Sequence, residues 1–343
     1  MKVSRRAFAF TSGAAALGAA MIAPLKARAQ TVLRMQTVDP PSFVGPSLAL
    51  PRFAKAIEEM SGGELRVELY TAGQVVPTSE IPTGLASGVI DLAYTSNVYY
   101  TGSIKENVLS YSAITPMLIP TVNDGREIFL NKGVDEIIAT PYRSEGVEFL
   151  GSIFLGDPIT FWSRNRIESV KDLSGFKVRS FGYAAKTMEK LGAAPVFMPH
   201  EEVYTALSQG TVDGSMTNAS YYKRAKYFEV APFIYDPGWY SFTHMCMMAS
   251  LPTWERLSEE HRAIVRYATR LLSTDMQHFT WLEYRQMLTE LEGMSSTLVK
   301  WTDEDAAAIK TVADSFLPEI RAMSSEVNRG VDIIQEHVSS LYG

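Results

Sequence analysis

Apolar positions recur along the chain in two rhythms. Thr31–Met35 (TVLRM) is apolar enough for a short opening strand. Leu65–Tyr70 (LRVELY) alternates with period two, the pattern of a half-buried strand. Between them, residues 48–60 show helical spacing, and Ser61-Gly62-Gly63 supplies a stop. Strand, helix and strand at this separation predict a βαβ unit and a parallel sheet.

Further along, the pattern repeats once. Residues 79–92 read SEIPTGLASGVIDL and residues 201–214 read EEVYTALSQGTVDG. At an offset of 122 they share Glu80 with Glu202, Thr83 with Thr205, Leu85 with Leu207, Gly88 with Gly210 and Asp91 with Asp213. Each piece reads as a short helix, a glycine cap and the start of a strand. A single long-range copy suggests two related α/β lobes, whereas a solenoid would repeat at short intervals.

From Ser258, a good N-cap ahead of Glu259 and Glu260, no Pro or Gly interrupts the chain before Gly293. A helix of that length, about 50 Å at about 1.5 Å per residue, is either one strut crossing both lobes or two helices broken near Ser273-Thr274. Thr302 caps a further helix, and the tail from Ala322 is expected to be helical, amphipathic and peripheral.

The expected organisation is a segment 1–29 set apart from the fold and a first part of lobe I over 30–153. Lobe II follows over 154–241, a return strand over 242–257 and the long helix over 258–293. C-terminal helices over 294–343 are expected to pack on lobe II and the periphery. The first 29 residues combine Arg5-Arg6, an apolar run and Ala27-Arg28-Ala29, the order of a cleaved export signal of twin-arginine (Tat) type. This places the mature chain in the periplasm.

Cleavage before Gln30 would remove five basic residues and no acids, taking the formal charge from −6 to −11. So acidic a chain is poorly suited to nucleic acid. Any cationic site must be local. Cys246 is the only cysteine, so no intrachain disulfide forms.

Signs of catalysis are sparse. No two of the five histidines lie three to five residues apart, and Cys246 lacks a CxxC partner, so no metal site is expected. There is no GxSxG elbow, no phosphate loop and no dinucleotide fingerprint. His244 and Cys246 share a strand face, where packing is the simpler role.

Binding features are richer. The stretch from Tyr94 to Tyr100 follows the first repeat's strand, and loops at the carboxyl ends of strands carry ligands in open α/β sheets. Asn97, Tyr99 and Tyr100 are candidates there. Tyr221 stands eight residues beyond Asp213, as Tyr99 stands eight beyond Asp91. The turn Asp236-Pro237-Gly238-Trp239-Tyr240 adds Trp239. Arg179 sits in an apolar strand expected over 176–181, ending in Phe181. A buried guanidinium requires an anion, supplied either by Asp157, Asp213 or another acid of the chain or by a ligand.

Lys171-Asp172-Leu173, Gly175, Lys177 and Arg179 are followed by Gly192-Ala193, Pro195, Glu202, Tyr204, Ala206-Leu207, Gly210, Val212 and Asp213-Gly214. This pattern resembles the periplasmic solute-binding subunits of TRAP transporters, the DctP-like family. The resemblance runs from about Val32 to Pro318. It implies a two-lobed periplasmic-binding-protein-like α/β fold, with two domains joined by crossing strands and a long helix. It implies a receptor, not an enzyme, that closes on a small organic anion and delivers it to membrane permease subunits. No cofactor follows from it.

The resemblance gives Arg179 the role of gripping the ligand's carboxylate. It departs after Asp213-Gly214. The 2-oxoacid type has Glu-Trp there and can hold a metal, but this chain has Ser215-Met216-Thr217-Asn218, which argues against one. Thr217 and Asn218 become ligand candidates instead, with Trp239, Asp157, Phe181 and the tyrosines around them. A small monocarboxylate, aromatic or hydroxy or oxo acid, and a monomeric receptor are expected. The alternatives are a Tat-exported periplasmic enzyme acting on an organic acid and a ligand-sensing module.

Overall fold

A computed structural model of the chain describes residues 30–343; the expected export signal over 1–29 lies outside the described residues. Eleven strands among the described residues form two sheets. The first sheet holds β1 (Thr31–Thr37), β2 (Leu65–Tyr70), β3 (Leu92–Thr95) and β4 (Val147–Leu155). The second holds β5 (Ile159–Ser163), β6 (Lys177–Arg179), β7 (Ala194–Val196), β8 (Gly214–Asn218) and β9 (Phe233–Asp236). The chain then returns to the first sheet with β10 (Thr243–Ser250) and to the second with β11 (Thr297–Lys300). The orders are β2-β1-β3-β10-β4 and β11-β9-β5-β8-β6-β7.

Local sequence explains the first unit. In β2, Leu65 and Val67 point inward and Arg66 outward. Leu50, Phe53 and Ile57 form the buried stripe of the helix Leu50–Met60, which Gly62 and Gly63 stop in left-handed conformations, φ 58° and 84°. β1 pairs in parallel with β2 and β3, as the βαβ reading requires.

The two lobes repeat the same device. Asp91 Oδ2 accepts the Arg34 N–H at 2.9 Å, and Asp213 Oδ2 accepts the Lys177 N–H at 3.0 Å. The main-chain N–H groups of Asp91 and Asp213 donate in return to Arg34 and Lys177, at 2.8 and 2.7 Å. Gly88 and Gly210 precede them with φ 71° and 72°. Each aspartate thus locks a parallel strand pair, β1 with β3 and β6 with β8.

Two strand-to-strand crossings join the lobes, from β4 to β5 and from β9 to β10, and the long helix between β10 and β11 makes a third. The long helix braces the first. It runs unbroken over Glu259–Glu290, with the Ser258 side chain accepting the His261 N–H. Ser273 does not break it. Its hydroxyl accepts the Phe154 N–H at 3.1 Å, and Thr280 accepts the Gly156 N–H at 2.8 Å, so both pin β4 and the crossing to the helix. Val265, Leu272 and Met276 pack in lobe I, and Met287 packs in the cluster of lobe II around Trp162.

The segment 294–343 differs from the expectation. It opens with β11, which pairs in parallel with β9. Its last helix, Ser325–Tyr342, lies against lobe I rather than on lobe II. Gly330 faces Leu109, and His337 Nε2 meets Asp124 Oδ1 at 2.9 Å. The helix is seated by its buried face of Val327, Val331 and Ile334, so it is not peripheral.

Candidate functional site

β6 is shorter than the expected strand because the chain leaves it after Arg179 to start a helix at Gly182. Arg179 is 1% exposed. Its Nε donates to the Met198 carbonyl at 3.1 Å and its Nη1 to the Met216 carbonyl at 2.7 Å. The guanidinium stands 5.0 Å from the Phe181 ring centroid, and the Tyr99 hydroxyl reaches it from lobe I. Neither carboxylate weighed in the sequence is its partner. Asp213 holds the Lys177 N–H, and Asp157 Oδ2 accepts the Ser220 N–H at 2.8 Å. Among the described residues no carboxylate forms an ion pair with Arg179. Burial pulls its pKa below the ordinary value, and a full positive charge is held in the interior by carbonyl dipoles.

Arg179 lines a small cavity between the lobes, with about 20 Å3 for the centres of water-sized groups. Lobe I contributes Ser96, Val98, Tyr99 and Ser112, and lobe II contributes Phe181, His200 and Asn218. Ile159, Thr243 and Met245 close it at the crossings. A larger cleft of about 890 Å3 opens between the long helix and residues 123–131, far from these groups. The small cavity is the candidate site because both lobes and a buried cation without a carboxylate partner among the described residues converge there.

The surrounding groups are neutral. Burial, aided by the Arg179 charge, holds the His200 pKa well below its usual value, and its Nδ1 lies 3.2 Å from Thr217 Oγ1. Burial pushes Tyr99 up to about 12, against the pull of Arg179. The Asn218 amide donates to Thr243 Oγ1 at 2.6 Å. The cavity therefore offers one cation, with hydroxyl, amide and imidazole groups around it.

The structure brings Arg179, Asn218, Tyr99 and Phe181 of the sequence candidates into this lining. Thr217 lies behind it, bonded to His200. Tyr100 turns into lobe I, its hydroxyl 2.7 Å from Thr95 Oγ1. Asn97 donates to Asn107 and to Tyr142, both at 3.2 Å, inside the same core. Trp239 is fully buried in the core, where its carbonyl accepts the Met117 N–H at 2.9 Å. Tyr221 and Asp157 sit one layer out.

Sequence reasoning missed His200, Ser112 and the segment after β1. In that segment Phe43 stacks on Tyr221 at 3.7 Å, and Asp39 accepts the Tyr221 hydroxyl at 3.0 Å. The rule that picked the loop after β3, applied to β1, points at Asp39.

Two α/β lobes thus enclose a small cavity with a buried cation on its wall. The model of the bacterial extracellular solute-binding protein family 7, DctP, matches residues 46–323. The chain belongs to this family, the periplasmic solute-binding subunits of TRAP transporters, whose members are receptors and not enzymes. It is 25% identical over 281 residues to the monocarboxylate 2-oxoacid-binding periplasmic protein of Nostoc sp., covering 81% of this chain and 76% of that one. A TRAP solute-binding protein of Pseudoalteromonas atlantica with bound sodium and pyruvate superposes with TM-score 0.82 at 23% identity, covering 91% of this chain and 95% of that one. One from Chromohalobacter salexigens with bound (S)-2-amino-1-propanol does so with TM-score 0.82 at 23% identity, covering 91% and 96%.

Proposed function

We propose that the chain binds a small organic acid in the interlobe cavity, with Arg179 holding the ligand's carboxylate, and delivers it to the permease subunits of a TRAP system. The carrying observation is the fully buried Arg179 without a carboxylate partner among the described residues. A guanidinium in that state gains most from a planar anion that its free edge can grip. Tyr99, Asn218 and the neutral His200 supply further hydrogen bonds to the ligand's oxygens. The scant space favours an acid of few heavy atoms with one carboxylate. Met216 turns its side chain into the core against β5 and offers no carboxylate to a metal. A ligand touching both lobes stabilises the closed form, which is the form a permease must distinguish.

A thermal-shift screen of the exported protein against small organic acids tests this. A ligand that binds only the native state raises the melting temperature with concentration. The expected result is a monocarboxylate hit that disappears in Arg179→Ala. Hits confined to dicarboxylates or sulfonates would refute the monocarboxylate reading.

A further inference from the structure

Where the lobes meet, outside the residues that line the cavity, lie two buried acids without an ion-pair partner among the described residues. Asp39 follows β1 and Asp157 sits in the crossing to β5, and both are 0% exposed. Asp39 Oδ1 accepts from Tyr221 and Asp157 Oδ2 from the Ser220 N–H. The second oxygen of each, Asp39 Oδ2 and Asp157 Oδ1, has no partner, and neither does the fully buried Tyr94 hydroxyl. The Ser220 and Thr280 hydroxyls stand close enough to Asp157 to favour its charged form, although neither makes a full hydrogen bond to Oδ1. A methyl placed on Gly45 would stand 2.8 Å from Asp39 Oδ2 and 3.7 Å from the Tyr94 ring, which sets the ring beside the carboxylate. Tyr94 precedes Ser96 of the cavity wall by two residues, and the hydroxyl of Thr243, also of that wall, donates to the Asp157 carbonyl at 3.4 Å.

We propose that these unpartnered oxygens receive an ammonium group of the ligand, so that the bound acid is a small zwitterion with its carboxylate on Arg179 and its ammonium on Asp39 and Asp157. This rests on the receptor reading above and names its substrate class. Unpaired buried acceptors cost most of a hydrogen bond each; burial favours the protonated form of both acids, and an arriving ammonium would favour the charged form instead. A tetrahedral ammonium carries three N–H donors and one charge, matching two carboxylate oxygens and a hydroxyl. An inorganic cation fits less well. Calcium takes about six to eight oxygens, and no group of three acidic, histidine or cysteine side chains converges among the described residues.

Titration calorimetry on the exported protein, freed of ligand by dialysis, tests the idea with matched trios: alanine, lactate and pyruvate, then valine and its 2-hydroxy and 2-oxo counterparts. The expected result is tighter binding of an amino acid than of its partners by about tenfold or more, the worth of a charge-assisted hydrogen bond. Asp39→Asn and, independently, Asp157→Asn should erase that preference, and the wild-type ratios stand even where a variant does not fold. Equal or tighter binding of the oxo or hydroxy acid, still dependent on Arg179, overturns the ammonium site and leaves the carboxylate reading intact. Stabilisation by sodium or calcium chloride alone, lost in Asp39→Asn, also overturns it in favour of a metal. If none of the acids binds, or binding ignores Arg179→Ala, both readings fall.

Discussion

Arg179 Nη1 donates to the main-chain carbonyl of Met216 at 2.7 Å. The residue standing where the 2-oxoacid type carries glutamate thus contributes its backbone, not its side chain, to the site. Its sulfur turns instead to Ser180, at 3.4 Å. The two carbonyls of Met198 and Met216 fix the guanidinium plane and hold the charge with no ion-paired carboxylate among the described residues to displace.

Replacing Arg179 therefore removes the one cation of the cavity. Arg179→Ala should weaken binding of the natural acid by on the order of 2–5 kcal/mol, as for other buried charge pairs. Arg179→Lys should recover only part of this, because an ammonium cannot hold both carbonyls and grip a carboxylate with a fork. Calorimetry with one acid across the three proteins measures it. Affinity unchanged in Arg179→Ala would remove the assignment.

Gly182 brings the backbone of lobe II close to that of lobe I. It has φ 53°, and the N–H of the next residue, Tyr183, donates to the Ala113 carbonyl at 2.9 Å. A Cβ at Gly182 would lie 2.7 Å from that carbonyl oxygen and 2.9 Å from Ala113 Cα. Backbone cannot yield as a side-chain tip can. Gly182→Ala should hold the lobes apart, weaken ligand binding at least tenfold by an estimate of about 1.4 kcal/mol or more of strain, and block ligand-induced compaction in small-angle scattering. Normal compaction on ligand addition would show that closure does not need this contact.

Much of this arrangement is legible locally. The βαβ start, the duplicated helix–glycine–aspartate segment and the long helix all rest on periodicity and caps within short windows. Arg179 stood out because a cation in an apolar strand conflicts with its surroundings. The aromatics were harder. Tyr99 and Tyr100 are neighbours in one helical turn (Asn97–Tyr100), so only one faces the cavity while the other enters the core. Trp239 follows a turn, but the turn folds under the Met117 segment. His200 reaches the cavity lining, and Asp39 the contact with Tyr221, only because strands and helices distant in sequence converge, and no local pattern encodes that.

The buried Asp39 makes stability depend on pH with a definite sign. Burial first, with the charges of Asp157 and Glu201 adding and the Tyr221 hydrogen bond opposing, pushes its pKa from 3.8 up to about 7. The folded state thus holds a proton that the unfolded chain releases above about pH 4. The contribution is complete below the unfolded pKa and is lost as pH rises through 7. Asp135 and Asp157, each raised to about 6 by burial, act in the same direction. His244, lowered to about 3 by burial, acts in the opposite one. The Asp39 share is isolated by comparing ligand-free wild type with Asp39→Asn, which mimics the protonated acid. Asn should raise the melting temperature at pH 8, and the gap should narrow as pH falls to 5 and close below about pH 4. A gap independent of pH would mean that Asp39 keeps its charge constant in the fold.

Phe43 separates closure from ligand contact. It comes from lobe I, yet it packs in the apolar cluster of lobe II with Trp162, Val203 and Tyr221. It stacks on Tyr221 at 3.7 Å and meets the His200 ring edge-on at 6.3 Å. It does not line the cavity, so its removal takes away no group that faces the ligand. Phe43→Ala should weaken binding of the natural acid by on the order of 2 kcal/mol, the cost of truncating a buried aromatic anchor at an interface. The loss should appear in the dissociation rate, since the open form meets ligand as before while the closed form holds it less well. Stopped-flow fluorescence on the five tryptophans can follow both rates. A loss confined to the association rate would place Phe43 on the path of entry instead of in the latch.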